Sequence, residues 1–113
     1  MGEVVMENMD SDIDLFKRLR RVLNYHIAIL EDPEPIFKHE EIHDEILGAF
    51  IDEEIADKNA NPAYVYMALA YLDTIQTSPK SDVLSGMKTL DNVFDLLIQR
   101  HNEVIKHDGK HQI

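Results

Sequence analysis

The chain has no cysteine, few glycines and prolines, and half as many basic as acidic side chains. Each shortage excludes something. Without cysteine there is no disulfide framework, no thiolate zinc site and no cysteine nucleophile. A reducing compartment is the simplest setting, and the expected location is cytoplasmic. The four glycines are scattered, so no Gly-rich phosphate loop can form. No charged segment followed by an apolar run opens the chain, which gives no sign of a signal peptide. The longest stretch without a charge runs only from Asn59 to Leu72. A membrane-spanning helix needs about 20 apolar residues. No stretch alternates strictly between apolar and polar residues, and no hairpin turn is readable, so strands are not expected.

The composition that remains is that of one folded domain. The length is 113 residues and 44% of them are apolar, enough for a core and against disorder. A domain this small gains from pairing with a second copy. Twenty-two acids against eleven bases leave a formal charge of −11. Such a chain repels phosphate backbones, so no direct nucleic-acid partner is expected. It attracts basic protein partners.

Apolar residues recur at three- and four-residue spacing in four blocks. The first predicts a helix from Asp12 to Leu30, with Ser11 as N-cap and Ile13, Phe16, Leu19, Leu23, Ile27 and Leu30 as its stripe. Leu15, Val22, His26 and Ile29 widen that stripe, and Lys17, Arg18, Arg20 and Arg21 face outward. Pro33 and Pro35 stop it. A second helix begins between Ile36 and Lys38 and ends near Lys58, with Ile42, Ile46, Leu47, Phe50 and Ile51 on its apolar face and Gly48 as a weak point. Asn61 caps and Pro62 opens a third helix that reaches Gln76. A fourth starts at Ser81 or Asp82. It carries Val83, Met87, Leu90, Phe94, Leu97 and His101, and Gly109 is its C-cap. Short loops between four such helices predict an all-α, up-down-up-down four-helix bundle. It should occupy residues 10–108, between a flexible N-terminal segment, 1–9, and a flexible tail, 109–113.

Few side-chain groupings suggest chemistry. His39-Glu40-Glu41-Ile42-His43 resembles the H-E-x-x-H of zincin metalloproteases over five residues. In those enzymes two imidazoles on one helical face grip zinc beside a glutamate base. They also frame the cleft with a sheet, and none is expected here. A divalent-metal site remains conceivable without proteolysis, because a turn at 31–35 would bring His26 level with His39 and His43. A di-iron carboxylate site would need a second Glu-x-x-His unit, and none is present. Asp10-Ser11-Asp12-Ile13-Asp14 resembles the start of a calcium loop. It has Leu15 and Arg21 where that loop needs glycine and glutamate, and reads as a helix cap. His107-Asp108-Gly109-Lys110 has the His-to-Lys spacing of phosphotransfer domains but stands at the chain's end. The expected protein has no catalytic residues and no resident cofactor.

Two surfaces remain. Glu40, Glu41, Asp44, Glu45, Asp52, Glu53 and Glu54 give the second helix a dense acidic face, costly through like-charge repulsion. Its functional reading is a docking surface for a basic protein partner, with the outward arginines of the first helix balancing it. The third helix has no charge before Asp73. Val65, Leu69 and Leu72 make one apolar face, and Tyr64, Met67, Tyr71 and Ile75 another. A helix apolar on two sides is central or lies in an interface, and tyrosine and methionine favour interfaces. The second face is therefore expected to join two copies in a homodimer. The expected function is that of a non-catalytic interaction or regulatory protein, with a metal-binding bundle as the alternative.

Overall fold

A computed structural model describes residues 2–56 and 59–111, with side chains over 11–53 and 59–103. The described residues contain four α-helices and no strand. These are α1 (Gly2–Glu31), α2 (Ile42–Ala56), α3 (Ala63–Ile75) and α4 (Lys80–His111). A 3-10 turn, His39–Glu41, leads into α2. Helix α1 packs against α2 and α4, α2 against α3, and α3 against α4.

Two side-chain contacts set α1 and α4 antiparallel. Phe16 of α1 stacks on Phe94 of α4, with ring centres 5.5 Å apart. Further along α1, Glu31 meets the earlier α4 residue Lys88 at 3.2 Å. On α2, Glu53 pairs with Arg18. Helix α3 closes on α4 at Gly86, where there is no side chain to hold it off. A Cβ at Gly86 would stand 2.6 Å from Ile75 Cδ1 and 3.2 Å from Tyr71 Oη.

One core runs through all four helices. Leu15, Leu19, Leu23 and Leu30 of α1 are fully buried. So are Ile42, Ile46 and Phe50 of α2, Val65 and Leu72 of α3, and Val83 and Met87 of α4. Burying one such side chain contributes roughly 1.5–3 kcal/mol relative to exposure. These are the positions that three- and four-residue spacing selects, with one exception on α4. There Ile98 is buried at 8% exposure, while Leu97, expected in the stripe, is 36% exposed. A four-residue step from Phe94 keeps the stripe facing α1, and a three-residue step turns it toward α3.

Helix boundaries differ from expectation mainly at the ends. Helix α1 starts at Gly2, so Ser11 lies inside it, and residues 2–9 are helical where a flexible segment was expected. No proline or glycine interrupts 3–31, so nothing stops the helix from extending backward. The Asp12 carboxylate, expected in a first turn, instead accepts the backbone N–H of Asn61 at 2.7 Å, tying α1 to the α2–α3 loop. Helix α4 likewise continues through Gly109, where a C-cap was expected. None of the described glycines has the positive φ of a left-handed cap. Helix α2 begins at Ile42, later than expected, after bends at 32–34 and 36–37 and the 3-10 turn His39–Glu41. Its expected end at Lys58 lies outside the described residues. Helix α3 spans Ala63–Ile75, and Asn61 does cap it: its Oδ1 accepts the Ala63 N–H at 3.0 Å.

Candidate functional site

The acidic surface expected on the second helix is split between the 3-10 turn, which carries Glu40 and Glu41, and the solvent side of α2, which carries Asp44, Glu45 and Asp52. Glu40, Glu41, Asp44, Glu45 and Asp52 are exposed there. Glu53 is not part of the open surface. It is half-buried against α1, with Oε2 3.0 Å from Arg18 Nε. The Glu54 side chain lies outside those described. Within the surface, Glu40 lies 3.2 Å from His39 Nε2 and Asp44 lies 3.4 Å from His43 Nδ1.

The arginines of α1 do not act as one block. Arg18 turns to α2, as the expected balance of charges requires. Arg20 turns the other way, to α4. Its Nε and Nη2 donate to the two carboxylate oxygens of Asp91 at 2.9 and 3.3 Å. Its Nη1 donates to Asp95 at 2.9 Å. Asn24, one turn along, donates to Asp91 at 3.0 Å and to the Arg20 carbonyl at 2.8 Å. Asp91 is buried among the ends of these donors. Its hydrogen bond, then the charges of Asp91 and Asp95, raise the Arg20 pKa above its ordinary value against the opposing effect of burial. This forked clamp joins α1 to α4 through a carboxylate at stripe spacing, four residues after Met87 and three before Phe94.

The histidines do not assemble a metal centre. Among the described residues no three His, Asp or Glu side chains stand where they could share a metal ion. His26 is buried on α1, where its Nδ1 bonds to the Val22 carbonyl at 2.8 Å. Its ring packs against Tyr25 and Phe37, 5.4 and 5.7 Å away. His39 lies in the 3-10 turn and His43 in α2. The helical pitch changes between them, and each imidazole lies nearest a neighbouring acid, Glu40 and Asp44.

The third-helix face divides. Tyr64, Tyr71 and Ile75 are partly buried and pack on the core, with Tyr64 edge-on to Phe16 at 4.6 Å. Met67 is 67% exposed. Between α3 and α4 lies an apolar groove of about 420 Å³, walled by Tyr64, Met67 and Tyr71 on one side and by Val93, Phe94 and Leu97 on the other. A smaller hollow of about 220 Å³ adjoins its Tyr64–Leu97 end and brings in Arg100, His101 and Asp12. A third, of about 490 Å³, lies between α1 and α2 beside Arg21, Tyr25 and Glu53.

Beside the apolar groove, α4 exposes Val93 and Leu96, and Leu96 reaches 62%. The sequence pattern marks them only negatively: they are apolar residues that fall off the buried stripe. No described helix is long and apolar enough to cross a membrane. No family model matches the chain, and no match is found among curated proteins or solved structures.

Proposed function

We propose that the chain is a non-catalytic interaction protein of the cytoplasm, an up-down-up-down four-helix bundle that docks a basic protein partner on α2. The observation carrying this reading is the exposure of Glu40, Glu41, Asp44, Glu45 and Asp52 on one short stretch. Of the nearby arginines, Arg18 meets Glu53 at the edge of this surface and Arg20 turns to α4. Five exposed carboxylates between residues 40 and 52 raise the local negative potential, which speeds encounter with a cationic surface and tightens it at low salt. Self-association through the Tyr64, Met67, Tyr71 and Ile75 side of α3 belongs to the same reading, supported by the exposed Met67 and the groove beside it.

The test is capture from a cell extract at low and high ionic strength. Wild type is compared with the triple reversal Glu41→Lys, Asp44→Lys and Glu45→Lys. The expected result is a discrete bound protein of basic character that is lost at high salt and absent with the reversed surface. Capture that the reversal leaves unchanged would sink the acidic-surface reading.

A further inference from the structure

We infer that two copies of the chain pair along the exposed side of α4, antiparallel, about a two-fold axis at Leu96. This deepens the self-association reading above, moving its centre from α3 to α4.

The exposed side of α4 carries Thr89, Val93, Leu96, Arg100 and Glu103, all solvent-facing. Their spacing is four, three, four and three, the interval at which one helix face meets another helix. It lies apart from the buried stripe of Val83, Met87, Leu90, Phe94 and Ile98. It is also distinct from the Asp91 and Asp95 side held by Arg20. Three helix faces are therefore in use, two inward and one open. Val93 and Leu96 are 44% and 62% exposed at the centre of the open one. The apolar α3–α4 groove runs beside them, sharing Thr89, Val93 and Leu97.

Charge decides what covers this seam. Between Asp82 and Glu103 the acids of α4 are Asp91 and Asp95, and both are turned to Arg20. The neighbouring α3 has no charge before Asp73. An otherwise acidic chain therefore offers here a side whose exposed charges are Lys88 and Arg100, with Glu103 at its end and Asp95, bound to Arg20 and Gln99, at its edge. Two copies can meet on it without setting carboxylate against carboxylate.

The order of polar residues selects the direction of the pair. At about 100° per residue, Lys88, Asn92, Gln99 and Glu103 fall to one side of Leu96, and Val93 and Arg100 to the other. A two-fold axis at Leu96 keeps each flank with its own kind and reverses its order. On the first flank Lys88 then comes within one residue of being opposite Glu103 of the other copy, and Asn92 within one residue of Gln99. At 1.5 Å rise per residue that offset is about 1.5 Å, well within the reach of these side chains. Lysine meets glutamate and amide meets amide, and symmetry repeats both. Gln99 already donates through Nε2 to Asp95 at 2.9 Å, which leaves its carbonyl oxygen to accept from Asn92. On the second flank the aliphatic stem of Arg100 covers Val93, and Leu96 meets Leu96 at the axis. A parallel two-fold pair in register would instead set Glu103, about 20° from the Leu96 line, against itself, and would put Lys88 on the flank opposite its own copy, with no carboxylate facing it. Lys88 leans on Glu31 of its own chain at 3.2 Å, but both side chains are about half exposed, so the ammonium can serve a second acceptor.

The test uses the full chain, in sedimentation equilibrium or light scattering across protein concentration. Wild type is expected to dimerise. Leu96→Asp, at an exposed position, is expected to keep its helical circular dichroism and become monomeric. Lys88→Glu should weaken the dimer about tenfold, since two exposed pairs turn from attraction to repulsion, and adding Glu103→Lys should restore it. Because the chain has no cysteine, Leu96→Cys gives a single thiol at the axis, and oxidation should link two copies. A wild-type monomer at every concentration would overturn the proposal. So would a dimer that survives Leu96→Asp; if that dimer is lost in Met67→Asp instead, the α3 face stands and the α4 seam falls. A Lys88→Glu dimer that Glu103→Lys weakens further would overturn the antiparallel register. Capture of a basic partner through α2 is read separately and does not depend on any of these results.

Discussion

Two glycines inside helices illustrate how little a residue's type says without its surroundings. Gly48 on α2 and Gly86 on α4 carry the same intrinsic penalty, about 1 kcal/mol against alanine. At Gly48 nothing lies within 4 Å of an added Cβ. Gly48→Ala should therefore raise unfolding stability by about 0.5–1 kcal/mol, through reduced freedom of the unfolded chain and better helix propensity. At Gly86 the added atom meets Ile75 and Tyr71. An alanine there is tolerable if the Ile75 end rotates, but a larger side chain has no space. Gly86→Leu should cost about 1–3 kcal/mol by forcing α3 from α4. Urea denaturation of the two variants checks both signs. Stabilisation by Gly86→Leu would mean that α3 is not held as close as the geometry has it. The penalty at Gly48 was legible from sequence, whereas the close approach at Gly86 was not, because it depends on which two helices meet there.

At the scale of helices, apolar spacing identified all four and most of the core, because burial of one face is what makes each of them stable. Boundaries were legible only where a residue forces them, as Pro33 and Pro35 do after α1 and Asn61 before α3. Ser11 and Gly109 are permissive signals, and a helix with favourable neighbours on both sides runs through them. Polar contacts between helices were not legible. Arg20 and Asp91 are 71 positions apart; each stands at stripe spacing on its own helix, Arg20 between Phe16 and Leu23 and Asp91 between Met87 and Phe94, but nothing local pairs one with the other. The clamp they form has a measurable weight. Asp91→Ala removes the acceptor for two Arg20 bonds and one from Asn24. Hydrogen bonds to charged groups are worth about 1.5–3 kcal/mol when buried, and the Arg20 side chain is 31% exposed, which reduces the loss to about 1–2 kcal/mol. Asp95→Ala should cost less, since Asp95 is 37% exposed and takes one bond from Arg20. Arg20's raised pKa sets the alkaline limit. Its contribution is complete below arginine's ordinary pKa and is lost only as pH climbs through the higher folded value. Arginine titration therefore leaves the cost of Asp91→Ala constant through neutral and mildly alkaline pH. Equal costs for the two aspartates in urea denaturation would refute the ranking.

The whole molecule is longer than a compact chain of its size. Its radius of gyration is 16.0 Å, against about 13 Å expected for 113 residues. Helices of 30 and 32 residues span about 45 and 48 Å, while α2 and α3 have only 15 and 13 residues. The long pair sets the 55 Å axis. Sequence spacing could not give this shape, because the ends of α1 and α4 lie beyond the apolar blocks. The shape matters for the acidic charge. At an ionic strength of about 0.01 M the screening length is about 30 Å, beyond the two short axes of 25 and 20 Å, so carboxylates on opposite faces repel one another through the full width. At about 0.15 M it falls to about 8 Å, and only neighbours interact. Repulsion across the width is then screened, while the clamp at Asp91 and the Arg18–Glu53 pair, being close and half-buried, are screened far less. The melting temperature should therefore rise as salt is added over this range, at protein concentrations too low for self-association. The triple reversal at Glu41, Asp44 and Glu45 moves the formal charge from −11 to −5, two units per residue, and should flatten that rise. A melting temperature that falls with salt would mean that attractive pairs outweigh the acidic excess. The exposed face of α2 would then be electrostatically balanced within the chain and would hold no surplus attraction for a basic partner.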